Sequence, residues 1–143
     1  MIEINGAHGE GGGQILRSSL TLSALTGMPV HIHHIRANRN KPGLRPQHLA
    51  AVKAIAKLTG ADLTGAHLNS GEITLIPGNL RSGRYRFDIP TAGALTLVLQ
   101  TIFLPLSFAR GTSSITLSGG THVPWSPVFH YLVCQWLSVM TTL

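Results

Sequence analysis

The sequence contains little charge. Asp, Glu, Lys and Arg make up 11% of its 143 residues, against about a quarter in an ordinary soluble domain. This scarcity excludes a coiled coil, an acidic tail and a segment that charge repulsion keeps disordered. The single cysteine, Cys134, excludes an internal disulfide framework and a zinc site built from cysteines, and we expect it to be an inert core thiol. The N-terminus shows no basic segment followed by an apolar stretch, so we expect no signal peptide and a cytoplasmic protein.

Long apolar runs are also missing. The most apolar segment, residues 95–108, is shorter than the ~20 residues that a membrane-spanning helix needs. Gln100 and Pro105 interrupt it further. We therefore predict a buried core helix here and no association with a membrane.

The charges that are present are unevenly distributed. Eleven lysines and arginines against five acids give a net charge of +6, which favours an anionic partner. No acid occurs between residues 11 and 61, yet seven of the eleven basic residues lie there, four of them within residues 36–45. In contrast, none of the 33 residues after Arg110 is charged. Such an ending is unusual for a finished soluble domain and predicts a truncated chain.

The pattern of apolar residues predicts a first β-α-β-α-β-β unit over residues 1–78. We expect strands over residues 2–5 and 29–35, helices over 14–26 and 47–59, and a hairpin built from 62–67 and 72–76. Gly27 and Gly60 are placed to end the two helices. Such a unit packs two helices on one face of a small sheet.

The order of elements then restarts in residues 79–143. We expect strands over 84–89 and 113–117, and helices over 92–108, with an irregularity at Pro105, and over 127–140. This β-α-β-α order stops after the second helix, where a second hairpin would begin. The predicted fold is therefore α+β, with repeated β-α-β-α-β-β units of which the second is incomplete, so that apolar helix faces stay uncovered.

A glycine-rich loop, residues 6–13, joins the first strand to the first helix. Its five glycines allow backbone N–H groups and a helix N-terminus to point at a phosphate. It is not a Walker A loop, and Gln14 stands where the dinucleotide-binding motif has its last glycine. A tight turn packed against the helix is the alternative. Glu10 favours a phosphate site, because an acid among backbone donors can hold a divalent cation that bridges phosphates.

A basic loop, residues 36–45, joins the second strand to the second helix and is expected at the same sheet edge. Arg36, Arg39, Lys41 and Arg45 have no acid near them in the sequence, so we expect no local ion pairs. Arginine is suited to bidentate recognition of phosphate. A solvated basic face is the alternative, but an ordinary surface would intersperse acids, and we favour anion binding.

Other candidate residues have less support. His31 and His33 are expected on one side of a strand with His34 opposite, and no third metal ligand is evident, so we favour partly buried or surface imidazoles. Trp125 and Trp136 are expected in the core rather than as platforms on which bases stack. With five acids in all, a catalytic carboxylate pair has little support.

Together these motifs resemble those of the RNA 3′-terminal phosphate cyclase family. The matching segments follow the family's order and spacing over essentially the whole chain. They are HGEGGGQILR (residues 8–17), IRANR (35–39), KPGL (41–44), QHL (47–49), YRF (85–87), LVLQT (97–101) and SGGT (118–121). The resemblance implies repeated units like those of the C-terminal domain of bacterial translation initiation factor three.

The resemblance also implies an activity. ATP, with Mg²⁺ or Mn²⁺, adenylylates an enzyme histidine, and the AMP then moves to an RNA 3′-phosphate end. The neighbouring 2′-OH expels AMP and leaves a 2′,3′-cyclic phosphate. Such activation is needed because a phosphate monoester reacts poorly until it carries a good leaving group.

Individual residues acquire roles by the same resemblance. Glu10 is implied as the acid linked to the metal and to the nucleotide phosphates. The other implied residues contact phosphates or the nucleotide. Implied RNA or phosphate contacts are Arg17, Arg36, Arg39 and Gln47, and implied ATP contacts are Gly11, Gly12, Gln100 and Pro127.

The sequence departs from this family in its length. Family members are more than twice as long, and the histidine that they adenylylate lies in a C-terminal part that is missing here. None of the eight histidines lies in that motif, so we expect the chain alone to be inactive. We expect it to associate with the missing half, or with itself through exposed apolar helix faces. A non-catalytic RNA-phosphate-binding module and a cyclase-like ribosome-assembly protein are the alternatives.

Overall fold

The computed structural model describes residues 1–91 and 93–142, which adopt an α+β fold, as predicted. Its first part contains four strands and two helices in the predicted order. These are β1 (Ile2–Asn5), α1 (Gly13–Thr26), β2 (Val30–His33), α2 (Pro46–Thr59), β3 (Asp62–Thr64) and β4 (Ile73–Ile76).

The four strands form one sheet in the order β1-β2-β4-β3. β1 and β2 run parallel, as a helical crossover such as α1 requires, and β4 runs antiparallel to β2 and β3. Val30 and Ile32 of β2 pair with Leu75 and Ile73 of β4, and these side chains are buried in one core with α1 and α2. His31 alternates with them and therefore lies on the opposite face of the sheet.

The strands β2 and β3 are shorter than predicted because the backbone turns at their ends. His34 has a φ of +52° and Gly65 a φ of +74°, both outside the strand region. β2 therefore ends at His33, and β3 ends at Thr64.

The second part of the chain begins with β5 (Arg84–Asp88), α3 (Leu95–Phe108) and β6 (Ser114–Ser118). β5 and β6 pair in parallel as a separate two-stranded sheet. The helix predicted from Ala92 begins later, at Leu95, because Ala94 still has extended backbone with a ψ of 103° and pairs with Gly120; Ala92 itself lies outside the described residues.

The last helical segment differs from the single α-helix predicted over residues 127–140. It begins at Phe129, because Val128 still has extended backbone with a ψ of 156°. It then consists of α4 (Phe129–Tyr131), a π-helical stretch (Leu132–Trp136) and α5 (Leu137–Met140). A π-helical stretch inside an α-helix follows from no periodicity in the sequence.

The irregularity predicted at Pro105 is wrong, since α3 continues through it as one α-helix. Proline has no N–H to donate to the carbonyl of Thr101, one turn earlier. The hydroxyl of Thr21 in α1 donates to that carbonyl instead, at 2.9 Å. This hydrogen bond satisfies the carbonyl and ties α3 to α1.

The helix α3 packs against α1 and α2, so the two sheets share one hydrophobic core. Val98 and Ile102 of α3 are buried in the same cluster as Leu20 of α1 and Ile55 of α2. Each such side chain stabilises the fold by about 1.5–3 kcal/mol when it is fully buried. The proposed boundary between repeats, after residue 78, stays a prediction.

Two predictions about the core are wrong. Cys134 is exposed, and Trp125 is 100% exposed at a φ of +65°. Both lie in the part of the chain after β6, where Phe129 and Val139 are exposed as well. Trp136 is half-buried and packs edge-on against Phe103, with ring centroids 4.4 Å apart. Within residues 1–91 and 93–142, no helix is both long and apolar enough to cross a membrane.

Candidate phosphate-binding site

The glycine-rich loop and the basic loop meet at one edge of the four-stranded sheet. They follow β1 and β2, whose carboxyl ends lie side by side because the strands are parallel. Asn38 donates its side-chain N–H to the carbonyl of Ala7 at 3.1 Å. Arg39 Nη2 lies 3.2 Å from Glu10 Oε2. Arg39 thus pairs with an acid from the other loop, 29 residues away, and not with one from the neighbouring sequence.

Two glycines bring the backbone of the first loop close to the arginine. Gly11 is buried at a φ of +58°, and its N–H donates to the carbonyl of His8 at 3.0 Å in a tight turn. Gly12 precedes α1, and a Cβ added to it would lie 3.2 Å from Arg39 Nη2. The N-terminus of α1 thus opens beside the Arg39 guanidinium, which fits the binding of an anion.

Arg36 serves the basic loop itself. Its Nη1 donates to the carbonyls of Lys41, at 2.6 Å, and of Gly43, at 3.0 Å. Burial, followed by the charges of Arg39 and Arg45, lowers the pKa of Arg36. The sequence did not predict that Arg36 stabilises its own loop, because every residue has a backbone carbonyl and the pattern does not show which ones accept hydrogen bonds from a side chain.

Arg17 lies in the second turn of α1, half-buried, with Nη2 donating to Gln14 Oε1 at 3.0 Å. Its Nε is buried and has no hydrogen-bond partner among the described residues. Burial lowers the pKa of this guanidinium. Since a buried donor without a partner costs about 1–3 kcal/mol, an anionic oxygen beside Arg17 would relieve that cost.

His48 is a central residue of the site, and sequence reasoning gave it no role. It is only 4% exposed, and its Nδ1 accepts a hydrogen bond from the backbone N–H of Arg45 at 3.2 Å. Burial, followed by the charges of Arg36, Arg17 and Arg45, lowers its pKa to about 3, so the ring is neutral at physiological pH. Its place three residues after the N-cap of α2, where side chains often accept from the cap, was the available signal.

Gln47 links the basic loop to the second part of the chain. Its Oε1 accepts a hydrogen bond from the backbone N–H of Ala94, just before α3, at 3.2 Å. Gly93 packs beside it, since a Cβ at Gly93 would lie 3.2 Å from the Cβ of Gln47. The structure thus gives Gln47 a connecting contact, while its predicted contact with a phosphate stays a prediction.

Gln100 lies near Arg17 in a cleft of about 320 Å³ between α1 and α3. Gln14, Thr21 and Thr101 also line this cleft. Pro127 precedes α4 and is not among the described residues that line the cleft. The structure therefore brings Gln100, but not Pro127, to the cleft beside Arg17.

The donor set fits a phosphate better than it fits a metal ion alone. Within the described parts of the chain, no three His, Cys, Asp or Glu side chains converge in a way that could hold a metal. Glu10 is 92% exposed and brings one carboxylate. A divalent cation here would need phosphate oxygens for most of its ligands, as Mg²⁺ in nucleotide sites commonly does.

The prediction for the histidines is confirmed for His31 and His33, which lie on one side of β2 with ring centroids 5.8 Å apart, and is wrong for His34, which follows the strand. His31 lies between two carboxylates, 2.9 Å from Glu3 and 3.5 Å from Glu72. His34 turns back at its positive φ, and its Nδ1 lies 2.8 Å from His33 Nδ1 rather than on the opposite side of the strand. The preference for half-buried or exposed imidazoles is confirmed for all three.

Comparison with known proteins matches the sequence of the chain to a known family. The family model described as RNA 3′-terminal phosphate cyclase matches residues 8–143. The chain belongs to the RNA 3′-terminal phosphate cyclase family. The cyclase of Pyrococcus furiosus is 55% identical over 93% of this chain, that of Staphylothermus marinus 54% over 92%, and that of Nostoc punctiforme 50% over 98%. The aligned regions cover 39%, 37% and 42% of those cyclases, so the chain spans about two-fifths of their length.

Proposed function

We propose that these residues form the nucleotide- and RNA-phosphate-binding part of an RNA 3′-terminal phosphate cyclase. The observation that carries the proposal is the buried Arg17 Nε, which has no partner among the described residues and lies in an arginine cluster. Arg36 lies close enough to Arg39 and Arg45 for their charges to lower its pKa, and Glu10 is the acid that pairs with Arg39. Such an excess of cations favours a ligand with several negative charges.

We assign the side chains the following roles, which their positions support. Arg17, which lines the cleft between α1 and α3, binds a phosphate oxygen through its guanidinium, and Arg39 binds a second one in exchange for Glu10. Arg36 shapes the loop and adds positive charge. Gln100 contacts the nucleotide in the cleft between α1 and α3. A Mg²⁺ or Mn²⁺ ion, held by Glu10 and phosphate oxygens, would neutralise charge during phosphoryl transfer.

The reaction proceeds by three displacements. A histidine nitrogen attacks the α-phosphorus of ATP, and the bond to pyrophosphate breaks. An oxygen of the RNA 3′-phosphate then takes the AMP from that histidine. Finally the 2′-oxygen attacks the 3′-phosphorus, forms the cyclic ester and expels AMP. The residues described here contribute positioning and charge stabilisation, which dominate catalysis of such transfers.

The attacking histidine is proposed to come from outside these 143 residues. His48 is a poor candidate, because it is buried and its Nδ1 already accepts from Arg45. His8 lies in the glycine-rich loop and is exposed, but it is not in the family's nucleophile motif. We therefore expect the chain by itself to bind phosphate ends without forming a covalent AMP adduct.

The test compares RNA with a 3′-phosphate and the same RNA with a 3′-OH, with affinity measured by fluorescence anisotropy at several salt concentrations. We expect preference for the 3′-phosphate, loss of most of that preference in Arg39→Ala, and a log–log salt slope smaller by about 1. Arg84→Ala, an exposed arginine of β5, is the matched control and leaves the preference unchanged.

Mass spectrometry after incubation with ATP and Mg²⁺ tests the source of the nucleophile. An unchanged mass is expected. In the anisotropy measurement, equal affinity for RNA with a 3′-phosphate and RNA with a 3′-OH would refute the phosphate site. An adduct of the mass of AMP on this chain would refute the assignment of the nucleophile and support catalysis without further residues.

A further inference from the structure

A second cleft, of about 460 Å³, lies against the other side of the basic loop. Its floor and walls include His33, His34, Asn69 and Glu72. The loop separates it from the arginine-lined region. Arg36, Asn38, Arg39 and Lys41 line the phosphate side, whereas Ala37, Pro42 and Gly43 line this cleft. A ligand held on the phosphate side therefore needs only to cross one loop to reach the histidines.

Two imidazoles form the aromatic part of this cleft. His33 and His34 meet edge to face, with ring centroids 4.7 Å apart at 79°. Their Nδ1 atoms are 2.8 Å apart, so one ring donates and the other must be a neutral acceptor. His34 is exposed and held at a φ of +52°, a conformation that residues with a Cβ rarely adopt.

The charge of the cleft differs from that of the phosphate side. No arginine or lysine is among the described residues that line it, and Glu72, whose carboxylate also lies 3.5 Å from His31 Nε2, lines one side. Asn69 Oδ1 accepts a hydrogen bond from Arg45 Nη1 at 2.7 Å, so the amide of Asn69 offers its NH₂ group as a donor. A phosphate is disfavoured beside Glu72, whereas an uncharged ring that stacks and accepts hydrogen bonds fits these groups.

We propose that this cleft binds the nucleobase of the RNA nucleotide preceding the 3′-terminal one, stacked on the imidazole of His34. Bases of single-stranded RNA commonly stack on aromatic and histidine side chains while cations hold the backbone. The inference rests on the proposed function, since the terminal phosphate must occupy the arginine side of the loop. It adds a contact that makes affinity depend on RNA length.

The test measures affinity for a ribonucleoside 3′-monophosphate and for a trinucleotide that ends in a 3′-phosphate. Stacking of one base is worth ~1–3 kcal/mol, which corresponds to an advantage of about 5- to 150-fold for the trinucleotide. We expect His34→Asn to remove most of this advantage while leaving the affinity for the monophosphate unchanged. Asparagine is chosen because it tolerates a positive φ. His34→Phe keeps an aromatic ring at the cost of backbone strain at this positive φ, and a folded His34→Phe chain is expected to retain the advantage.

His130→Asn is the control, since His130 is an exposed histidine of α4. Failure of the wild-type chain to bind the monophosphate would refute the proposed function. Binding of the monophosphate with no advantage for the trinucleotide would refute this inference alone. An advantage that survives in His34→Asn would refute it as well.

Discussion

The neutral, buried His48 predicts a specific loss of stability in acid. The pKa of this imidazole is about 3 in the folded chain and 6.5 in an unfolded one. Between these two pH values the imidazole is therefore protonated in the unfolded state and neutral in the folded state. The free energy of unfolding is therefore unaffected by protonation of His48 above about pH 6.5 and decreases progressively as the pH falls from there towards 3. From pH 7 to pH 5 the loss is about 2 kcal/mol, at 1.36 kcal/mol for each unit below 6.5.

The assay is urea-induced unfolding at pH 7, 6 and 5, followed by tryptophan fluorescence. Trp136 packs on Phe103 and reports folding, whereas Trp125 is already fully exposed. The test variant is His48→Asn, whose side-chain oxygen can still accept from the N–H of Arg45. We expect it to be less stable at pH 7, because the ring leaves a cavity, but to lose about 2 kcal/mol less than the wild type between pH 7 and pH 5.

The comparison of the two pH slopes cancels the other titrating groups, which the wild type and the variant share. The control variant is His130→Asn, which removes an exposed histidine. Parallel curves for the wild type and His48→Asn would refute the reasoning, because they would show that His48 takes up its proton as readily in the folded chain as in the unfolded one.

Two further substitutions test the packing around the site. A change from glycine to alanine usually stabilises a helix. In Gly13→Ala, however, the added Cβ lies less than 3 Å from side-chain atoms of His48 and Arg17. We therefore expect the free energy of unfolding in urea to fall by about 1–3 kcal/mol and RNA 3′-phosphate to bind more weakly. Gly12→Ala, which meets only the end of Arg39, should cost much less, and equal losses would contradict the account. Thr21→Val removes the donor to the Thr101 carbonyl that Pro105 leaves free, and we expect a loss of about 1–3 kcal/mol by the same assay. Thr26→Val, which loses two exposed hydrogen bonds, one to the Leu22 carbonyl and one from the Met28 N–H, is its control. A Thr21→Val chain as stable as wild type would refute the role of the bond between Thr21 and Thr101.

Local patterns in the sequence predict most of the elements, because their signals are local. Alternation of apolar residues marks β5, and Gly27 and Gly60 end their helices in the left-handed conformation that glycine readily adopts. The meeting of the two loops also follows, since loops after parallel strands share a sheet edge. The fold class and the proximity of Glu10 to the basic loop were therefore within reach of the sequence.

The remaining features depend on contacts between distant residues. The exposure of Cys134 and Trp125 depends on what packs beside them, which an apolar sequence does not specify. The neutrality of His48 depends on burial together with three arginines, and His34 turns because of its positive φ. No single residue type indicates these conditions, so the prediction of an anion-binding basic loop did not include the buried imidazole of His48.

The ion pair between Glu10 and Arg39 explains how one acid can coexist with a site for phosphate. Glu10 is 92% exposed and Arg39 43% exposed, so water screens their attraction and the pair stabilises the fold little. A phosphate bearing more charge than a carboxylate would displace Glu10 from Arg39 at small cost. Under the proposed function, the displaced carboxylate then lies beside the phosphate, where a divalent cation needs an oxygen ligand. The ion pair thus keeps Arg39 in place without blocking it.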